Sequence, residues 1–473
     1  MRWFESSHPS HWFESSHPSH WFESSHPSIA WRAQRLKTLT RGSNAVRLGF
    51  LLAVFAVSCT VSRNASGLPP LESSTGWRTA EPRFEREQLW GPPGANRWEP
   101  TIAADPESSW IYQLTTGQRP NYLLFRASSD GGRTWGAARH LCHRGVRVPF
   151  QFDPQIAVAK GGVIDVVCLD GFRPGVVFAR SHDRGATWSK AVRLDGRMAY
   201  SDKPTLVLAA RGKDVYVAYN VRWSLYVSVS HDYGATWLPA MRATTRRLWY
   251  FPYSGTVGRH GAIWFAVDGE SGRKERGEGH VELVTSPDGG MTWREIPFAV
   301  SYKGETCKVH HCYPDFYTAE DAVAADGRGN LVFVFAMNAR RHGPNALYVS
   351  RSNDDGATWT ASRLVNAAGN NTSPAIAAAP DGSFRLVWQD NRNGPKAWNT
   401  WYSASSDRGA SWSNAIRLSD RGFGAPYKHA AGYDFPFGDY LGLAVDPHGV
   451  NHVIWGEGSA VYVPGGTWWT RGL

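Results

Sequence analysis

From about residue 100 onward, short apolar runs alternate with turns rich in Gly, Asp and Pro. The runs are strand-length, too short for helices of ordinary size and far from the 18 or more residues of a spanning helix. They come in sets. Ahead of each turn of one recurrent type stands a β-type run: YLLFRAS, VVFARS, LYVSVS, VELVTS, ALYVSRS and TWYSAS. A short segment such as AARHL, AVRLD or AIRLS follows it, so each such turn predicts a β-hairpin. Upstream lie two further runs. TIAAD precedes WIYQLTT, QIAVA precedes VIDVVCLD, TLVLAA precedes VYVAYN, DAVAAD precedes LVFVFAMN, and AIAAAP precedes FRLVWQD; AIWFAVDG lacks a clear partner. Four strands per unit make a propeller blade, and near-continuous apolar inner strands suit burial between blades.

The recurrent turn is a motif. It reads SSDGGRTW, SHDRGATW, SHDYGATW, SPDGGMTW, SNDDGATW and SSDRGASW, with the acid at Asp130, Asp183, Asp232, Asp288, Asp354 and Asp407. Its period near 50 residues indicates a propeller or solenoid. The carboxylate accepts N–H groups of its own turn, the Gly supplies positive φ and the Trp fills an apolar gap. After the sixth copy a further unit follows: YLGLAVD, NHVIWGEG, then AVYV and GGTWW, without the acid. Residues 85–91 are placed to add a strand to that unit and close the ring. The expectation is an all-β fold, a single seven-bladed propeller over residues 84–473.

The first 83 residues differ in character. Residues 3–28 are WFESSHPSH twice and then WFESSHPS, with no apolar period able to form a core. Arg32, Arg35, Lys37, Arg41 and Arg47 precede an eleven-residue apolar run, Leu48 to Ser58, which ends Ala56-Val57-Ser58-Cys59. A basic n-region and short h-region read as a signal peptide. Residues 1–58 are therefore assigned to the extension and signal, and residues 59–83, rich in Ser, Pro and Gly, to a tether.

Charge alters this picture little. The net charge of +10 is scattered and forms no basic stripe, so no nucleic-acid partner is expected. In an exported chain Cys142, Cys168, Cys307 and Cys312 permit disulfides. The CKVHHC loop suits a Cys307–Cys312 bridge, or a metal site with its two His residues. The bridge is the expectation; no cofactor or metal is expected.

The box S-x-D-x-G-x-T-W resembles the Asp-box, or BNR, repeat of the sialidase superfamily, over roughly residues 84–473. The segment around Cys59 resembles the lipobox of bacterial lipoproteins, which implies a lipid-anchored envelope protein with Cys59 acylated. Sialidases have six blades, one fewer than counted here. The family resemblance implies a retaining exo-α-sialidase type of glycoside hydrolase, with the boxes structural and away from the site. Tyr440 stands where the family has its nucleophile, Glu320 where it has the polarising carboxylate and Arg340 where it has a carboxylate-binding Arg. The remainder departs from the pattern. Trp98 occupies the first Arg position with Arg97 one residue off, Thr115 to Asn121 holds no acid, and no Arg lies near 371–374. Starts of inner strands converge at one channel mouth in a propeller, which adds Arg97, Glu99, Asp153 and Asp439 as substrate-binding candidates, with Asp202 and Lys203 beside them. Ends of second strands bring Asp170, Arg222, Asp268, Arg340, Asp390, Arg392 and Glu457 to the same face. Two readings follow: a sialidase-type hydrolase, or a non-catalytic propeller that binds a glycan or an envelope protein. A monomer is expected in either.

Overall fold

The computed structural model describes residues 82–93, 95, 97–117, 121–141, 151–171, 175–198, 201–271, 278–302, 319–394, 397–420, 428–429, 432–433, 441–457 and 466–473. Among these residues, seven four-stranded antiparallel sheets form the fold, beside a two-stranded ribbon of Lys428–His429 and Gly432–Tyr433. Blade 1 consists of Arg97–Ala104, Ile111–Gly117, Tyr122–Ser128 and Arg139–Leu141. The same inner-to-outer order repeats through blade 6, which ends at Ile416–Arg417. The partner that sequence left open in blade 4 is Trp249–Val257, an aromatic, Pro-containing strand paired with Ile263–Glu270.

Blade 7 is built from both ends of the described chain. Leu441–Val445, Asn451–Glu457 and Gly466–Gly472 form its inner strands, and Gln88–Leu89 adds the outermost, Gln88 opposite Trp469. Its third strand is thus GTWWTRG; the AVYV segment expected there lies outside the described residues. Arg471 reaches back to Glu85 at 2.8 Å and to the Gly131 carbonyl at 2.7 Å.

Each of the seven blade junctions holds one apolar cluster. Between blades 1 and 2, for example, Leu114, Phe125, Val166 and Ala179 are buried together; Ile102, Ile454 and Trp469 do the same between blades 7 and 1. The second strands are buried on both faces, as in blade 2 (Val163–Asp170), which explains their unbroken apolar sequence.

All six boxes fold alike. In blade 3, Ser230 Oγ donates to Asp232 at 2.8 Å, and the same carboxylate accepts the Thr236 N–H at 2.8 Å and the Thr236 hydroxyl at 2.5 Å. The Thr236 hydroxyl, its N–H and Ser230 together hold Asp232 down at about 2. The box also acts between blades. A Cβ on Gly185, whose φ is +84°, would lie 2.4 Å from the Phe125 ring of blade 1. The box Trp188 meets that ring edge-on at 5.3 Å. Blade 1 repeats the joint on blade 7: Trp135 stands edge-on to Trp469 at 5.1 Å. One local turn therefore supplies a hairpin end and a blade-to-blade contact.

Candidate functional site

Opposite the boxes lies the face where the innermost strands begin. There a repeated distortion organises the polar groups. In blades 1, 2, 3 and 6 a residue with φ near +50° stands directly before a proline: Glu99, Asp153, Lys203 and Ser373. The ladder slips at each, for instance between Trp98 and Thr101, so one residue bulges out. Proline has no N–H to place in a ladder and is at home in a bulge. A non-Gly residue at positive φ is strained, and such strain gathers at functional surfaces.

The bulges are tied to one another across blade boundaries. Glu99 Oε2 accepts the Thr116 hydroxyl at 3.1 Å and the Asp153 N–H at 2.9 Å. Asp153 in turn faces the Lys203 ammonium at 3.6 Å. Thr205 donates to the Pro252 carbonyl of blade 4 at 2.7 Å. Between blades 5 and 6, Glu320 accepts the Thr372 hydroxyl and the Ser373 N–H on a single oxygen. Glu99 and Glu320 therefore do the same job: each carboxylate takes up the backbone donor that the next blade's bulge frees. A buried donor left alone is costly, which explains an acid at these points.

The sequence candidates fall into distinct places. Glu99, Asp153 and Lys203 do converge, and all three are buried. Glu320 is buried and engaged as described. Arg97 is half-buried and turned to Trp90: it donates to the Trp90 carbonyl at 2.8 Å and stacks over its ring at 4.2 Å. Burial lowers its pKa. Trp98 is buried edge-on to Phe152 at 6.2 Å. Arg340 is exposed at the end of the second strand of blade 5. Asp390 is fully buried and held by Arg392, and it accepts the Trp388 indole N–H at 2.8 Å; Glu457 accepts that of Trp455 at 3.0 Å. Asp170 and Asp268 are buried, whereas Arg222 is exposed. Tyr440, Asp439, Cys59, Cys142, Cys307 and Cys312 lie outside the described residues. Cys168 is buried in the junction of blades 1 and 2.

One group went unnoticed in the sequence. Asp321, adjacent to Glu320, is entirely buried beside Asp268. Burial first, then Asp268 and Glu320, push its pKa well above the usual carboxylate range. Nothing in DAVAAD separates this acid from an ordinary strand-edge Asp. The repeated polar-residue–Pro pair at strand starts (EP, DP, KP, SP) was the available signal for the bulges.

Among the described residues, the starts of the inner strands gather Glu99, Asp153 and Glu320 with Lys203, with Asp321 held towards its neutral form, while Arg222 and Arg340 lie exposed at the ends of the second strands. Among the described residues, no group of three or more His, Cys, Asp or Glu residues is arranged to hold a metal ion. Carboxylates in such a ring suit hydroxyl groups as donors and oppose an anionic group on the axis.

The model of the BNR repeat-like domain matches residues 230–436. Similar solved structures include a Hadza microbial sialidase, at 16% identity, covering 77% of this chain and 74% of that one with TM-score 0.44. A Dyadobacter fermentans protein of unknown function is 15% identical, with 83% and 98% covered and TM-score 0.48. Penicillium chrysogenum alpha-L-arabinanase complexed with arabinobiose is 13% identical, with 83% and 98% covered and TM-score 0.44. No curated protein matches the chain. With its six boxes and seven four-stranded sheets, the chain is a β-propeller of BNR-like repeats.

Proposed function

We propose that this propeller binds glycans without hydrolysing sialosides, and that it does so at the cell envelope, exported and tethered through Cys59. The observation that carries the reading is the state of Glu320. Its carboxylate is buried and serves the Thr372 and Ser373 donors, so polarising a nucleophile would compete with an inter-blade joint. Arg97 is committed to Trp90, and a substrate carboxylate on the axis would meet an acidic surround. Sialidase chemistry needs guanidinium partners for that group. A rigid, polar, strained mouth remains suited to sugar hydroxyls.

The test is direct. Aryl sialoside and sialyl-lactose are incubated with the protein, and binding to an immobilised glycan panel is measured in parallel. Binding without turnover of either sialoside is the expected result. Turnover of the aryl substrate that disappears in Tyr440→Phe would overturn the reading, because the change removes only the attacking oxygen.

A further inference from the structure

On the same face, but outward from the axis, blade 3 carries a cavity of about 520 Å³. The loop leaving blade 2, the second hairpin of blade 3 and the loop entering blade 4 enclose it. Arg197, Arg222, Arg242 and Arg247 line it, with Trp223 and Tyr226. Among the described residues no carboxylate belongs to the lining. Among the described residues, Arg197, Arg222 and Arg247 make no hydrogen bond or ion pair. Arg242 is held in place through the Thr245 and Arg246 carbonyls, both at 3.1 Å. The nearby acids are engaged elsewhere. Glu282 pairs with Arg246, while Glu295 takes the Thr245 N–H at 2.8 Å and the Tyr250 hydroxyl at 2.7 Å. Four like charges around one concavity repel each other and focus a positive field into it.

The aromatic wall is ordered. Trp223 meets Trp249 edge-on at 5.8 Å. Arg222 sits at φ +58° in the tight turn that the Val221 N–H to Ser224 carbonyl bond closes. Such a turn position favours Gly, so a long cationic side chain sits there at a local cost. Guanidinium forks match planar or tetrahedral oxyanions, and an indole offers an apolar face to the C–H side of a sugar ring. The volume falls within the roughly 300–1,000 Å³ of small-ligand sites.

We propose that this cavity binds the acidic portion of a glycan, a sulfated or uronate-bearing disaccharide unit; this rests on the glycan-binding reading above. The oxyanion sits among Arg197, Arg222 and Arg247, and the sugar ring lies along Trp223.

Calorimetry on the full chain tests it with four probes: a sulfated heparin-derived disaccharide, digalacturonate, cellobiose and sodium sulfate. At least one acidic disaccharide binds and cellobiose does not compete for its site; which acidic probe binds identifies the oxyanion. Arg222→Ala and Arg247→Ala each weaken it about tenfold or more, the loss of one charge-assisted contact. Trp223→Phe keeps the hydrophobic support but narrows the stacking face; it weakens the disaccharide and leaves sulfate unchanged. Acidic-disaccharide affinity that survives Arg222→Ala/Arg247→Ala overturns the cavity proposal and leaves glycan binding standing. Sulfate binding as tightly as either disaccharide reduces the site to a simple anion trap and overturns it too. Failure of every saccharide, here and on the glycan panel, removes both readings.

Discussion

Replacing Glu320 separates a structural carboxylate from a catalytic one. In Glu320→Ala the Ser373 N–H and the Thr372 hydroxyl, both buried, lose their common acceptor. Each orphaned donor costs about 1–3 kcal/mol, and the missing side-chain volume adds roughly 1 kcal/mol. Relief of a buried charge beside Asp321 offsets about 1 kcal/mol. The net loss is about 2–6 kcal/mol, a large share of the 5–15 kcal/mol typical of a folded domain. With an unfolding entropy of about 2.1 cal/mol/K per residue over about 390 residues, Tm falls by roughly 2–7 °C. Glu320→Gln behaves differently. Both donors use one oxygen, which the amide retains, so the cost stays below about 1 kcal/mol. Urea unfolding followed by Trp fluorescence reads the two variants. An alanine variant within about 0.5 kcal/mol of the parent, or a glutamine variant equally damaged, refutes the structural role. Sialoside turnover that vanishes in a fully stable Glu320→Gln would restore the catalytic one.

Three further outcomes are expected. The Asp321 carboxyl, raised by burial and then by Asp268 and Glu320, takes up a proton on folding. Above the unfolded value near 4, stability therefore declines as pH rises towards the folded value, by at most about 1.4 kcal/mol per pH unit from this group. Asp321→Asn should flatten that decline and be more stable than the parent at pH 8 but not at pH 4; superimposable urea midpoints across this range would sink the argument. Gly185→Ala and Gly161→Ala impose similar strain, at φ +84° and +80°, but only the first drives a Cβ into Phe125 while the second meets open space. The first should cost about 2–4 kcal/mol and the second about 1 kcal/mol by chemical denaturation; equal costs would contradict the blade joint. Labelled fatty acid should enter the parent chain in a bacterial host and be absent from Cys59→Ser, and equal labelling would remove the lipid anchor.

Much of the architecture was legible because its determinants are local. A box is closed by bonds within a few residues, such as Ser230 to Asp232 and Asp232 to Thr236, so its residues must sit together in sequence and the motif recurs visibly. The blade count and the closing N-terminal strand followed from the same spacing. The inner strand of blade 4 did not, because WYFPYSGTV places Pro and Gly inside a strand and lacks the small apolar pattern of the others.

The site was legible only as a list of residue types. That Glu320 meets Ser373, 53 positions on, depends on how adjacent blades are pitched. Strand position alone equally allowed a carboxylate aimed into the channel. Arg97 illustrates the same limit: its strand position put it near the mouth, and Trp90, brought in by the closing strand, drew it away. Arg197, Arg222, Arg242 and Arg247 come from separate strands and loops, and no spacing announces their meeting. The sequence by itself determined the turns and strands, since these rest on hydrogen bonds between near neighbours and on strand-length apolar runs bounded by turn residues. Tertiary structure decided which charges are satisfied and which face solvent, since that balance is set by groups far apart in the chain whose fields and donors meet only once the ring is closed.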